Sequence, residues 1–235
     1  VSYLPGVFDF PLQIVMNEVL TSDPPPWGSI WTPVYEMLGH DFLYPEPMNL
    51  VIMPDNHDMS RIFTQLDEND ALWRMAMAFY ATMRGIPQIF YGTEIQMSHP
   101  GTDSHGALRA EFPGGWPDHD KNAFTGEGLT TQERDAQAFM RKLLNWRNQA
   151  DVIHTGKLMQ YTPAGNVYAY FRYDDDDSVM VIFNRGDDAV EFDTARFAER
   201  LDGFTHGTDI ISGDRIDISP TLKLDPMSVM ILELE

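Results

Sequence analysis

Residues 51–63 read VIMPDNHDMSRIF, an apolar run that ends in Asn56, His57 and Asp58, with Arg61 three residues on. A strand that opens onto an amide, an imidazole and a carboxylate needs a reason for them, since polar groups left unpaired in an apolar setting cost free energy. Similar runs lie on either side. Residues 6–10 (GVFDF) read as a first strand, 49–56 (NLVIMPDN) as a second and 86–94 (IPQIFYGTE) as a third. The third is apolar almost throughout, as strands covered on both faces of a parallel sheet are. Between them the period is helical. Leu12, Val15, Met16, Val19 and Leu20 share one face of a helix that Pro11 suits as its first residue. A short helix fits 33–39. Leu72, Met75, Phe79 and Met83 share a face over 70–84, with Gly85 as the stop. Thr130 and Glu133 fit a capping box opening a helix that runs to about Gln149.

After residue 150 the period falls to two. VYAYFRY (167–173) and SVMVIFN (178–184) alternate about Asp174–Asp177 and predict a hairpin, with short strands near 207–212, 214–218, 221–224 and 228–234. The chain thus divides into an α/β part, 1–150, and an all-β antiparallel part, 151–235. Strand–helix alternation points to a parallel sheet. Three parallel strands alone leave long unpaired edges.

Composition excludes several classes of function. A chain of 235 residues can bury a core, and 43% hydrophobic with 12% aromatic residues is the composition of a globular protein. There is no cysteine, which removes disulfides, thiol catalysis and cysteine-ligated zinc. The formal charge of −20 opposes binding to nucleic acid or an anionic membrane, whose phosphates call for Lys and Arg. No run nears about eighteen apolar residues, so no membrane span is expected. The opening VSYLPGVFDF lacks the basic start of a signal peptide, but a removed signal leaves no trace, so export stays open. The expected partner is uncharged.

The segment PDNHD resembles the seventh-strand motif of the α-amylase family of retaining glycoside hydrolases, in which Asn-His-Asp ends a strand of a (β/α)8 barrel. GVFDFPLQ (6–13) resembles the sixth strand and its exit, GIPQIFYGTEIQM (85–97) the eighth, and VMVIFNR (179–185) a strand of the β-sandwich beyond the barrel. The order is the family's, and the likeness is nearest to neopullulanases and cyclomaltodextrinases. The resemblance implies a fold of α/β plus all-β class: the last three βα units of a (β/α)8 TIM barrel over 1–150, then an antiparallel β-sandwich C-terminal domain over 151–235. It implies starch-type chemistry on an α-1,4-glucan, a maltooligosaccharide or cyclodextrin. In the family a nucleophile ends strand four and a general acid/base ends strand five, about 5 Å apart as retention requires. A third carboxylate at strand seven grips the sugar. Asp58 corresponds to that third group, a transition-state stabiliser, and His57 donates to the same ring.

No Arg-x-Asp strand end matches the fourth strand and no glutamate matches the fifth, while Asp9 lies in the sixth-strand setting, which carries no catalytic carboxylate. The chain is therefore read as the C-terminal portion of a longer hydrolase, inactive alone. Self-association, or pairing with the missing N-terminal part, is expected at its open sheet edges. The competing reading is a non-catalytic carbohydrate-binding or assembly module that complements another chain. Calcium in this family often belongs to the N-terminal part, and no cofactor is assigned to residues 1–235.

Other residues complete the candidate site. Asn56 belongs to the triplet. Arg61 reads either as partner to a site carboxylate or as part of a structural ion pair beneath it. The loop 95–129 follows the third strand and would lie over the site, where Asp103, His105 and Arg109 are candidates to reach sugar hydroxyls. Trp116 reads either as a stacking surface for a sugar face or as a pin for the loop. His99, Asp103 and His105 are spaced too loosely for a good metal site. Asp174–Asp177 read more simply as a solvated hairpin tip than as a calcium cage. Glu94, by resemblance, is a framework residue.

Overall fold

The structure, a computed structural model, describes residues 4–218 and 220–235. The three apolar runs of the first half make far less sheet than their composition implies. Strand β1 is Val51–Ile52 and β2 is Ile86–Pro87, paired in parallel, and residues 6–10 contribute a single bridge from Phe8 to Val51. The Val51 N–H donates to Val7 O and the Asp9 N–H to Val51 O (both 2.9 Å), while Ile86 and Gln88 donate to Leu50 O and Ile52 O (both 2.8 Å). Pro54 has no N–H to extend the ladder from β1, and Pro87 has none to offer on the far side of β2. The expected three βα units of a (β/α)8 barrel are corrected accordingly. No barrel closes among the described residues; the parallel sheet has two short strands and the larger sheet is antiparallel.

Helices carry this half: α1 (Phe10–Thr21), α2 (Thr32–Leu38), α3 (Ile62–Gln65), α4 (Asp70–Thr82), α5 (His105–Leu108) and α6 (Thr131–Arg147). Helix α1 has Pro11 in its first turn and Asp9 as its cap, with Oδ1 accepting the Leu12 N–H (3.1 Å). Its buried face holds Leu12, Met16, Val19 and Leu20 of the five residues the spacing predicts, with Val15 half-buried and Gln13 buried beside them. Asp9 Oδ2 also accepts from Arg84 Nη1 (2.7 Å), and the same guanidinium forks onto Asp41 through Nε and Nη2 (2.8 and 2.6 Å). This buried cluster ties the end of the first run to the chain beyond α4. Helix α6 opens with the predicted capping box, Thr130 Oγ1 accepting from the Glu133 N–H (3.1 Å) and Glu133 Oε2 from the Thr130 N–H (2.7 Å). Helix α4 stops at Thr82, before Gly85. Gly85 takes φ +107° where a Cβ would lie 2.7 Å from Leu50 O, so only glycine fits.

From Asp151 the chain forms α7 (Asp151–Thr155), β3 (Lys157–Gln160), β4 (Val167–Tyr173), β5 (Ser178–Asn184), β6 (Val190–Asp193), α8 (Ala198–Leu201), β7 (His206–Asp209), β8 (Arg215–Asp217), β9 (Thr221–Leu224) and β10 (Ser228–Leu234). Six strands lie in the order β3-β4-β5-β10-β7-β8, every neighbour antiparallel, and β6 pairs with β9. The β4–β5 hairpin forms as the sequence predicts. Asp174 closes its tip, Oδ1 accepting the N–H groups of Asp176 and Asp177 (3.0 and 2.8 Å). Alternation then sorts the side chains. Tyr168, Tyr170, Val181 and Phe183 face the helices, whereas Ala169, Phe171, Met180 and Ile182 face a second cluster with Phe197 and Leu222. Trp31, fully buried, stacks on Tyr168 with centroids 5.4 Å apart and donates its indole N–H to Asn166 O (2.9 Å). One core runs across residue 150.

Helix α4 is its centre. Every residue from Met75 to Thr82 is buried, and the helix packs on β10, α6 and α1. A helix end sunk in the core needs donors for its last carbonyls. Arg147 Nη1 donates to Ala81 O (2.6 Å), and Arg172 donates through Nη1 to Thr82 O (3.0 Å) and through Nη2 to Gly156 O (2.9 Å). Burial pushes the Arg172 guanidinium down to about 10, which leaves it charged at neutral pH. Arg172→Met leaves two buried carbonyls without this donor, and a loss of about 3 kcal/mol is expected. The check is a lower urea midpoint at unchanged slope. An unmoved midpoint would mean that the two carbonyls find other donors at no cost.

Candidate active site

Burial changes sharply within the triplet. Met53 to Asn56 are buried, while the His57 and Asp58 side chains are 58% and 59% exposed. The chain turns at this point because Asn56 Oδ1 accepts the Asp58 N–H (2.8 Å), a local turn that asparagine favours. Its effect is to lift the imidazole and carboxylate clear of the strand end.

The floor is dry. Asp55, fully enclosed, accepts the Ile62 N–H on Oδ2 (2.8 Å) and the Thr93 hydroxyl on Oδ1 (3.1 Å), joining the start of α3 to the 3-10 turn Thr93–Ile95. Burial raises its pKa from the usual 3.8 to about 6, against the pull of the Ile62 N–H and of Arg61. Arg61 is buried too. Its Nε donates to Leu108 O (3.0 Å) and its Nη1 to Tyr91 O, with the guanidinium 4.0 Å from the centre of the Phe90 ring and 4.9 Å from that of Tyr91. Desolvation lowers the Arg61 pKa while Asp55 opposes the shift.

The rim is exposed and carries charges of both signs. Arg109 Nη2 donates to Asp58 Oδ1 (2.6 Å) and its Nε to the His57 carbonyl (3.0 Å). His57 Nε2 lies 3.1 Å from Asp58 Oδ2. His105, one helical turn before Arg109, places Nδ1 at 3.1 Å from Arg109 Nη2 and 3.8 Å from Asp58 Oδ1. The Ser60 hydroxyl donates to Asp103 Oδ1 (2.7 Å), a second staple between this loop and the triplet. The structure thus gathers Asn56, His57, Asp58, Asp103, His105 and Arg109 and puts Arg61 beneath them. Trp116 lines a separate cavity that includes neither the triplet nor α5. Sequence reasoning passed over Asp55; the available signal was a carboxylate set between Pro54 and Asn56 at the end of a buried run. Among the described residues no group of three or more His, Asp or Glu side chains is placed to hold a metal ion.

A carboxylate offers about four lone-pair positions. Asp58 uses one oxygen for Arg109 and the other for His57, so each retains capacity for a hydroxyl. The cluster is suited to hold a polyol.

Comparison with known proteins adds to the geometry. Residues 10–171 match the family model for the alpha amylase catalytic domain, and 158–233 that for the cyclo-malto-dextrinase C-terminal domain. The chain is similar to a cyclomaltodextrin glucanotransferase of Geobacillus stearothermophilus, at 27% identity over 77% of this chain and 22% of that protein. It is also similar to neopullulanase 2 of Thermoactinomyces vulgaris, at 29% over 63% of this chain and 23% of that protein. The chain spans between 11% and 28% of the length of these and the other curated relatives compared. In fold it is similar to the alpha-amylase of Geobacillus thermoleovorans solved with acarbose, with a TM-score of 0.76 and 19% identity over 99% of this chain and 48% of that one.

Asp55 makes stability depend on pH. It titrates near 3.8 when unfolded and near 6 when folded, so between those values the folded chain holds a proton that the unfolded chain has shed. Stability therefore falls as pH rises through this window and levels off above it, by ~3 kcal/mol in all. The gap in unfolding free energy between wild type and Asp55→Asn is expected to shift by that amount across the window, at the expense of wild type. A pH-independent gap would count against a raised pKa.

Proposed function

The chain belongs to the alpha-amylase catalytic-domain family, and on that premise we propose that it carries the sugar-gripping part of the active site of an α-glucan-acting glycoside hydrolase. The supporting observation is Asp58, an exposed carboxylate at a buried strand end, held at one oxygen by Arg109 and beside His57 at the other. In retaining hydrolysis one carboxylate attacks the anomeric carbon while another protonates the leaving oxygen and then activates water. Asp58 takes neither role. Its oxygens accept hydroxyls of the ring at the cleavage point, and those bonds strengthen as positive charge grows on the ring. His57 donates to the same ring. Arg109 donates to one oxygen of that carboxylate from the rim, which Asp103 and His105 complete, and Arg61 and Asp55 position the whole from below. The proposed ligand is an uncharged α-1,4-glucan, maltooligosaccharide or cyclodextrin, in keeping with the names of the relatives. Passing the glycosyl group to a second sugar instead of water is a near variant of the same chemistry.

Every ion pair that Asp58 makes among the described residues is with His57, His105 or Arg109. The nucleophile and general acid of this reading come from sequence outside residues 1–235 or from another chain. Release of reducing ends from maltoheptaose and cyclodextrin by the purified chain is therefore expected at background, for wild type and Asp58→Asn alike. Activity in wild type that Asp58→Asn abolishes would uphold the role of Asp58 and overturn the chain's inactivity alone; activity unaffected by the substitution would remove Asp58 from the reaction. The exposed apolar side chains of Leu4, Val7, Phe8, Phe10, Ile14 and Ile86 further suggest association. Light scattering is expected to give a dimer or larger species, and a monodisperse monomer would contradict this.

A further inference from the structure

Trp116 is 59% exposed and Phe124 74%, and both lie in a lobe of residues 111–129 that is built to stay in place. The lobe shares a small core with the turn after β2: Ala123, Leu129 and Phe112 pack with Ile95 and Met97. The Ala123 N–H donates to Pro113 O (3.0 Å) and the Asn122 N–H to Glu127 O (2.7 Å), while Asn122 Oδ1 accepts the N–H groups of Phe124 and Thr125 (3.0 and 3.1 Å). Lys121 pairs with Glu133 (2.6 Å) and Gln137 donates to Ala123 O (2.8 Å), so α6 holds the lobe from behind. Gly114 stands at φ +101°, where a Cβ would lie 2.5 Å from Asn122 Oδ1. None of these restraints uses the Trp116 indole. The ring is displayed by the lobe and does not pin it.

Beside that ring lies a cavity of about 510 Å³, bordered by His119, Asp120, Lys121, Asn122 and Glu127. That volume falls within the range of small-molecule sites, roughly 300–1,000 Å³. Its polar groups are unevenly engaged. His119 Nδ1 accepts the Gly114 N–H (2.9 Å) and its Nε2 faces Glu111 (3.2 Å), and Lys121 is paired with Glu133. The carboxylates of Asp120 and Glu127 make no hydrogen bond or ion pair among the described residues. A flat aromatic face beside two unpaired acceptors suits a ligand with a C–H face and several hydroxyl donors. With its lysine already paired, the cavity is a poor fit to an anion.

We infer that the Trp116 lobe is a second carbohydrate site, apart from Asp58, which takes another stretch of the same neutral α-glucan with a ring stacked on the indole and hydroxyls donating to Asp120 and Glu127. The inference rests on the glucan reading of Asp58 given above.

The test is calorimetric titration of the 235-residue chain with maltoheptaose in an Asp58→Ala background, which isolates the lobe. Binding is expected to persist there, to weaken about tenfold in Asp58→Ala/Trp116→Ala, equivalent to ~1.4 kcal/mol, and to recover when Trp116→Phe restores a flat ring. Glu127→Gln in the same background is expected to weaken it without touching the indole. If Asp58→Ala alone abolishes all binding, or if Trp116→Ala changes nothing, the lobe site is overturned while the Asp58 reading stands. If wild type binds no maltoheptaose, both fall.

Discussion

A helix whose C-terminal end is buried must find hydrogen-bond donors for its last carbonyls, and α4 finds them in two arginines from other elements. Arg147, at the end of α6, takes Ala81 O, and Arg172, on β4, takes Thr82 O. Arg172 could not reach that carbonyl unless β4 lay along the helix end, with the Tyr170 hydroxyl 2.6 Å from that of Thr82. The antiparallel sheet is thereby set against the helices. At the other end of α4, Asp70 accepts from Gln96 (2.7 Å), which in turn accepts from Gln132 of α6 (3.0 Å). Gln96 follows the turn whose Thr93 donates to Asp55. The same helix that seats the sheet at one end thus braces the floor of the candidate site at the other.

Two arginines near that site show how environment divides one side-chain type between two tasks. Arg61 is sealed between aromatic rings and backbone carbonyls, where loss of any partner leaves a buried charge, so it is fixed. Arg109 sits in water against an exposed carboxylate. Exposed pairs of this kind contribute little, about 0–1 kcal/mol, and a bond that weak is readily shared with an arriving hydroxyl. The rigid cation shapes the site and the exposed one leaves Asp58 open to exchange.

Local signals in the sequence translated well. The capping box at Thr130 and Glu133, Pro11 in the first turn of α1 and the hairpin about Asp174–Asp177 depend on neighbours within a few residues, and all three formed. The parallel strands did not form at the expected length. An apolar run reports that the chain is covered, not that strands flank it, and Pro54 and Pro87 withhold the donors that pairing requires. The triplet was legible because its polarity interrupts an apolar run. Asp55 was not, since in sequence it is one more acidic residue beside the triplet, and only enclosure sets it apart. Whether Arg61 partnered a site carboxylate or a structural ion pair, and whether Trp116 offered a stacking face or pinned its loop, depended on contacts between segments distant in sequence, which spacing does not encode.

The exposed apolar flank around Val7, Phe8 and Ile86 belongs to a chain with a net charge of −20. Two copies approaching through that flank meet long-range repulsion before any apolar surface touches. The repulsion reaches roughly 30 Å in 0.01 M salt and about 8 Å at physiological ionic strength, whereas contact between apolar side chains is short-ranged and largely indifferent to salt. Dilute buffer therefore raises the barrier to any meeting through that flank, and ordinary saline lowers it.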